Sequence, residues 1–176
     1  MVFAITFLTA QLAWGNYDPK PGVFANPLSG KMGKLEVDQL LDSMKRGTYG
    51  MDMTPGTKKR LDVSDIPFLL ERADSTSPVK SIPMNPISSF AQAKCSEGMV
   101  ALWLVEGIRR GSQIPSFNVL CLETKSSVSG QEMDAKSESH HAVVAAAYRA
   151  WWKKGHSDPA ATFKVDPLAG TGLSWQ

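Results

Sequence analysis

Basic clusters, cysteines and long apolar runs are all scarce in this chain, and each scarcity excludes a class of function. Lysine and arginine number 19 against 17 acidic residues, a net charge of +2. Nucleic-acid partners demand a dense basic stripe. The longest basic cluster is Lys58-Lys59-Arg60, which reads as a solvated loop, so no nucleic acid is expected. Beyond Met1–Gly15 no run of roughly 18 uncharged apolar residues occurs, so no further membrane span is expected. The standard catalytic and metal signatures are absent: no HExxH, no G-x-S-x-G, no phosphate loop and no paired CxxC. No cofactor and no metal are expected. The two cysteines, Cys95 and Cys121, leave two readings open. In an oxidising compartment a disulfide between them would be worth about 3 kcal/mol. Otherwise they are separate, small, buried hydrophobes. No histidine stands near either one in a catalytic pattern.

What is present begins with an uncharged stretch, MVFAITFLTAQLAWG, over Met1–Gly15. It is too short to span a bilayer, which takes roughly 20 residues. It fits the apolar region of a secretory signal, with Ala13-Trp14-Gly15 as the small-x-small cleavage pattern, although no Lys or Arg precedes it. The alternative is a buried N-terminal strand or helix. No cysteine precedes Cys95, so lipid attachment at the cleavage site is not expected. Residues 16–34 are rich in Pro, Gly and Asn and read as a flexible leader. Residues 35–176 read as one helical domain, long enough for one sizeable core.

Helical periodicity then dominates. Val37, Leu40, Leu41 and Met44 share a face, predicting a helix over Leu35–Arg46 that stops at Gly47. Ile66, Leu69, Leu70 and Ala73 repeat the pattern, predicting a helix from Ser64, as N-cap, to about Asp74, with Pro67 in the first turn. Ile82–Pro86 predicts a loop, and Ser88–Lys94 a short turn or helix. Met99–Val105 is apolar all round and predicts the most buried helix, capped by Ser96 and closed by Arg109-Arg110-Gly111. Ile114–Leu122 fits a short strand or a short helix equally well. Lys125–Ser139 is polar and predicts an exposed loop. Val144, Ala147, Tyr148 and Trp151 predict a last long helix over His140–Lys154. Beyond it lies an irregular tail in which Gly170-Thr171-Gly172 would let Trp175 fold back. The expected fold class is all-α, a small bundle of four to six helices in antiparallel pairs.

Few residues suggest chemistry. His140-His141 would point about 100° apart on a helix, which rarely suits one metal ion, so two exposed histidines at a helix start are expected. Glu106 lies inside the apolar helix and needs a partner. Arg109 and Arg110, at i+3 and i+4, can supply it. The functional reading of Glu106 is a ligand-binding or acid/base carboxylate, and the structural reading is a helix-end ion pair. Tyr148, Trp151, Trp152 and Trp175 would serve either as core or as an aromatic platform for sugar or peptide. Only one of Trp151 and Trp152 can point straight into the core. Candidate ligand contacts are therefore Glu106, Arg109, Trp152 and Trp175.

Several fragments together form a recognisable ensemble: Asp65-Ile66-Pro67-x-Leu69-Leu70, Asn85-Pro86-Ile87-Ser88-Ser89, Leu102-Trp103-x-x-Glu106-Gly107-Ile108-Arg109, Tyr148-x-x-Trp151-Trp152, and Asp166-Pro167-Leu168-x-Gly170-Thr171-Gly172-Leu173-x-Trp175. Across Leu35–Trp175 this ensemble resembles a family of small exported bacterial proteins classed as a domain of unknown function. The resemblance implies an α-helical body with HEAT- or armadillo-like helix pairs, in the cell envelope of gut-type Gram-negative bacteria. It brings no activity and no catalytic residue. Exported members of such families are often lipoproteins, and this chain lacks the cysteine that would require.

The leading expectation is a non-enzymatic binding module, periplasmic or extracellular, whose partner is a protein, peptide or glycan of the envelope. The alternatives are an envelope hydrolase in which Glu106 acts with His140 or His141, and a structural subunit of an envelope assembly.

Overall fold

The computed structural model describes residues 32–49, 61–82, 95–112, 115–116, 118–125 and 131–176. The leader 1–15, the stretch 16–31, most of the loop after the first helix, the double-proline segment and the short element expected at Ser88–Lys94 lie outside the described residues.

Helix α1 spans Lys34–Arg46 and buries Val37, Leu41 and Met44, the face its periodicity defines. Its first turn is closed by Glu36, whose carboxylate accepts the Gly33 backbone N–H at 2.5 Å. Helix α2, Ile66–Glu71, grows out of a single 3-10 turn, Val63–Asp65. The cap of that turn is Asp62, which accepts the Ser64 N–H at 2.7 Å, and not Ser64 itself. A carboxylate is the stronger acceptor at this position. Helix α2 is also shorter than its apolar pattern suggests: residues 72–74 continue as a turn.

The apolar segment forms α3, Glu97–Arg110, capped by Ser96 and ended by Gly111. From Met99 to Val105 every residue is buried, with Trp103 at 0% exposure. Burying a large apolar side chain is worth about 1.5–3 kcal/mol, so this helix supplies much of the driving force for folding. The Trp103 indole N–H is satisfied by the Ser116 hydroxyl at 2.8 Å.

Strand β1 covers Cys121–Glu123, so the end of the segment expected as strand or helix over Ile114–Leu122 is a short strand, while Ile114 and Phe117 lie outside the described residues. Residues 131–139, expected to be loop, form α4, Gln131–Ser139. This helix lacks a wide apolar stripe. It is held instead by a polar contact: the buried Ser137 hydroxyl accepts the Cys121 N–H at 2.8 Å. Helix α5, His141–Gly155, packs Val144, Tyr148 and Trp151 inward. The tail is less irregular than expected. It holds a short helix α6, Pro159–Thr162, and a strand β2, Leu173–Trp175. Strand β2 pairs antiparallel with β1, Cys121 opposite Trp175. Gly170 and Gly172, with φ of 83° and 75°, make the turn that returns Trp175 to the body.

Helices α2 and α5 both pack on α3. Their junction is tightest at Gly98. A Cβ there would overlap the His141 imidazole and stand 2.7 Å from the Ala73 carbonyl oxygen. The approach lets His141 Nε2 donate to that carbonyl at 2.7 Å. His141 is therefore 8% exposed, which corrects the expectation of two exposed histidines. The missing side chain at Gly98 makes room for it.

Replacing Gly98 by Ala is expected to destabilise the domain by about 1–3 kcal/mol through overpacking against backbone. Urea unfolding would measure it. A change below about 0.5 kcal/mol, the usual range for an uncrowded surface site, would show that the junction has slack.

Candidate functional site

Two places gather chemically interesting side chains, and the sequence candidates divide between them. The first is interior. Glu106 is 1% exposed and sits near the C-terminal end of α3. Its carboxylate receives a two-point clasp from Arg109, Nε to Oε2 at 2.7 Å and Nη2 to Oε1 at 2.6 Å. Arg110 Nε adds a third bond to Oε1 at 2.5 Å. From the facing helix α5, the Tyr148 hydroxyl donates to Oε2 at 2.7 Å. That hydroxyl in turn accepts the Trp175 indole N–H at 2.9 Å. Arg109 also reaches the Phe163 carbonyl at 3.2 Å. One buried anion thus joins α3, α5 and the two ends of the tail.

Burial pushes the Glu106 carboxyl up. The hydrogen bonds from Arg109 and Tyr148 and the charges of Arg109 and Arg110 outweigh that push, and the group sits below its ordinary value of 4.5. Burial and the neighbouring Glu106 charge push the Tyr148 phenol well above its ordinary range. Neither group is tuned to exchange protons near neutral pH, which acid/base catalysis needs. Among the described residues no hydrogen bond or ion pair joins Glu106 to His140 or His141. His140 lies 3.5 Å from Glu123, while His141 faces Ala73, Ser96 and Glu138.

This network relocates three of the four candidate contacts. Glu106, Arg109 and Trp175 satisfy one another inside the body, with Trp175 7% exposed, and leave no open face for a partner. A carboxylate placed three and four residues before two arginines can be buried because its charge is met within the same helix. The sequence pattern contains that ion pair. It contains no signal for Tyr148 as the bridge, because the contact spans 42 residues.

Ser96, His141 and Glu138 form a second interior cluster. Ser96 Oγ stands 3.5 Å from His141 Nδ1, and Glu138 accepts the Ser96 backbone N–H at 2.7 Å. The Ala73 carbonyl can only accept, so Nε2 carries a proton toward it, while Nδ1 faces the Ser96 hydroxyl and, at 3.9 Å, Glu138. The set resembles a nucleophile with its base, yet Ser96 is 4% exposed and caps α3 through the Met99 N–H. The backbone N–H groups of Glu97 and Gly98 are bonded to Ser77 and Ser75 carbonyls, so they are not free to stabilise an oxyanion. The cluster anchors the helix start. The cysteines are likewise inert: both are free and buried, and burial pushes each thiol up to about 12.

The second place is on the surface, and it holds the fourth candidate. Trp152 is half-buried beside Trp151, which points inward as the helical geometry requires. Its ring lies in an open cleft of 520 Å³ between α2 and α5. Pro67 and Leu70 from α2 and Trp152 from α5 make an apolar floor. Glu71 stands on the α2 side, and Arg149, Lys153 and His156 on the α5 side. Arg149 is held by Asp74 in a two-point ion pair at 2.8 and 2.6 Å, and Glu71 pairs with Lys34. His156 Nδ1 donates to the Trp152 carbonyl at 3.2 Å and its ring lies 6.0 Å from the indole. The cleft is wide-mouthed, closer to an open surface than to the enclosed cavities that hold small ligands. The spacing of Arg149, Lys153 and His156, at i, i+4 and i+7, is the sequence signal that marks this face.

Among the described residues no group of three or more His, Cys, Asp or Glu is placed to hold a metal ion. No helix among them is long and apolar enough to cross a membrane. Residues 31–176 match the family model described as Domain of unknown function (DUF4943). No curated protein and no solved structure matches the chain.

Glu106→Gln is expected to destabilise the domain at neutral pH by about 3 kcal/mol, because it leaves the Arg109 charge buried and unmatched. Because the folded state holds the Glu106 carboxyl below its ordinary value of 4.5, its stabilisation is present above that value and lost as pH falls below it. Urea unfolding across pH should show an acid-side decline that is shallower in the Gln variant. Matching slopes would mean that the carboxylate is not held as a buried anion.

Proposed function

The chain belongs to the family described as Domain of unknown function (DUF4943), and from that premise we propose that it is a non-catalytic binding module of the bacterial cell envelope, which docks a peptide or protein segment in the cleft between α2 and α5. The observation that supports this reading is the division of the aromatic and charged residues. The Glu106 carboxylate, the sequence's candidate for chemistry, is saturated inside the body. Trp152, by contrast, stays half-exposed on an apolar floor. Partly exposed Trp and Arg are the residues most often found at the centre of binding interfaces.

A peptide suits the cleft better than a glycan. A sugar needs a surround of polar side chains to meet its hydroxyls, whereas this floor is Pro67, Leu70 and Trp152. The charges of Arg149 and Glu71 at the rim are already paired. Export is supported by the uncharged Met1–Gly15 stretch and its Ala13-Trp14-Gly15 pattern. Packing of α2 and α5 side by side on α3 supports kinship with helix-pair bodies that present a groove.

A displayed random-peptide library, panned against the protein and against Trp152→Ala, tests the reading. The protein should enrich sequences with a recurrent large apolar residue, and Trp152→Ala, with its melting temperature little changed, should not. Enrichment that is equal on both proteins, or absent from both, would overturn the proposal.

A further inference from the structure

The cleft has a polarity of charge as well as an apolar floor. Resting on the reading of this cleft as a docking site, we infer that its partner is an acidic amphipathic segment, with one apolar side chain seated on Pro67, Leu70 and Trp152 and its carboxylates turned toward α5. Arg149, Lys153 and His156 recur at i, i+4 and i+7, so they line one edge of the cleft over about 10 Å of helix. Among the described residues Lys153 forms no ion pair, and it is exposed at the rim. Arg149 stands at the cleft wall with its guanidinium taken up by Asp74 and the Leu70 carbonyl, so the available charge of this edge is that of Lys153. His156 spends Nδ1 on the Trp152 carbonyl, which leaves Nε2 as its outward nitrogen.

The opposite edge carries Glu71, whose charge is met by Lys34 of α1. The two edges therefore differ. Among the described residues, a carboxylate lying along α5 meets the unpaired Lys153 ammonium, whereas along α2 it meets only Glu71, already paired with Lys34. This asymmetry selects an acidic partner and orients it. The length of the basic edge suits about two turns of helix or three extended residues. Such rim charges set partner choice and encounter rate, while the buried aromatic sets most of the affinity.

The test uses a fluorescein-labelled synthetic peptide in which leucines recur at helical spacing among glutamates, and its twin with lysine at every glutamate. Fluorescence anisotropy against the full chain should show the acidic peptide binding at least about tenfold more tightly, with an advantage that shrinks as salt rises. Lys153→Glu should reverse that order, and Trp152→Ala should weaken both peptides. Equal binding of the two peptides, still lost in Trp152→Ala, would overturn the acidic partner and leave the docking reading standing. No binding by either peptide would also overturn the acidic partner, and the library experiment then judges the docking reading by itself.

Discussion

An anion taken out of water must be matched where it lies, and the arrangement around Glu106 follows from that demand. Desolvating a carboxylate costs several kcal/mol even after the protein relaxes. Here the compensation comes from four hydrogen bonds, contributed by Arg109, Arg110 and Tyr148. Two of these residues lie on the same helix as the charge. The third lies on α5, and its hydroxyl can stand at the right place only if α5 crosses α3 in one register. An apolar contact would tolerate a shift of a helical turn, but this one does not. The buried charge therefore specifies how the helices meet, in addition to whatever it contributes to stability.

The same demand organises the tail. Trp175 donates to the Tyr148 hydroxyl and Phe163 offers its carbonyl to Arg109, so the segment after α5 is drawn over the charge and covers it. Trp151 is sealed in a similar way, with its indole N–H on the Thr162 carbonyl and its ring stacked on Phe163. The aromatic residues near the end of α5 thus separate by direction. Tyr148 and Trp151 complete the interior, and Trp152 is left at the edge of the cleft.

Periodicity made the three principal helices legible because each has an apolar face that repeats every three to four residues: Val37 to Met44, Ile66 to Ala73, and Val144 to Trp151. The continuous run from Met99 to Val105 marked the axis. The pattern was silent wherever a contact depended on distant partners. Helix α4 has no broad apolar stripe and owes its place to Ser137 against Cys121. His141 is buried because Gly98, 43 positions earlier in the chain, has no side chain to exclude it. Glu106, Arg109 and Trp175 were recognisable as a set worth noticing. Their inward orientation depended on Tyr148, whose role no local spacing encodes. Trp152 was placed at the surface by helical geometry alone, since its neighbour Trp151 takes the core.

The pairing of β1 with β2 has a consequence for the order of assembly. Thr124 and Gly172, which flank the two strands, are joined although they stand 48 positions apart, with α4, α5 and α6 looped between them. Closing so long a loop before the helices condense would sacrifice chain entropy with little return. Loop-closure entropy therefore favours a clasp that fastens after the intervening helices have condensed. The clasp carries Trp175, so the pairing that closes this loop also sets the indole N–H on the Tyr148 hydroxyl.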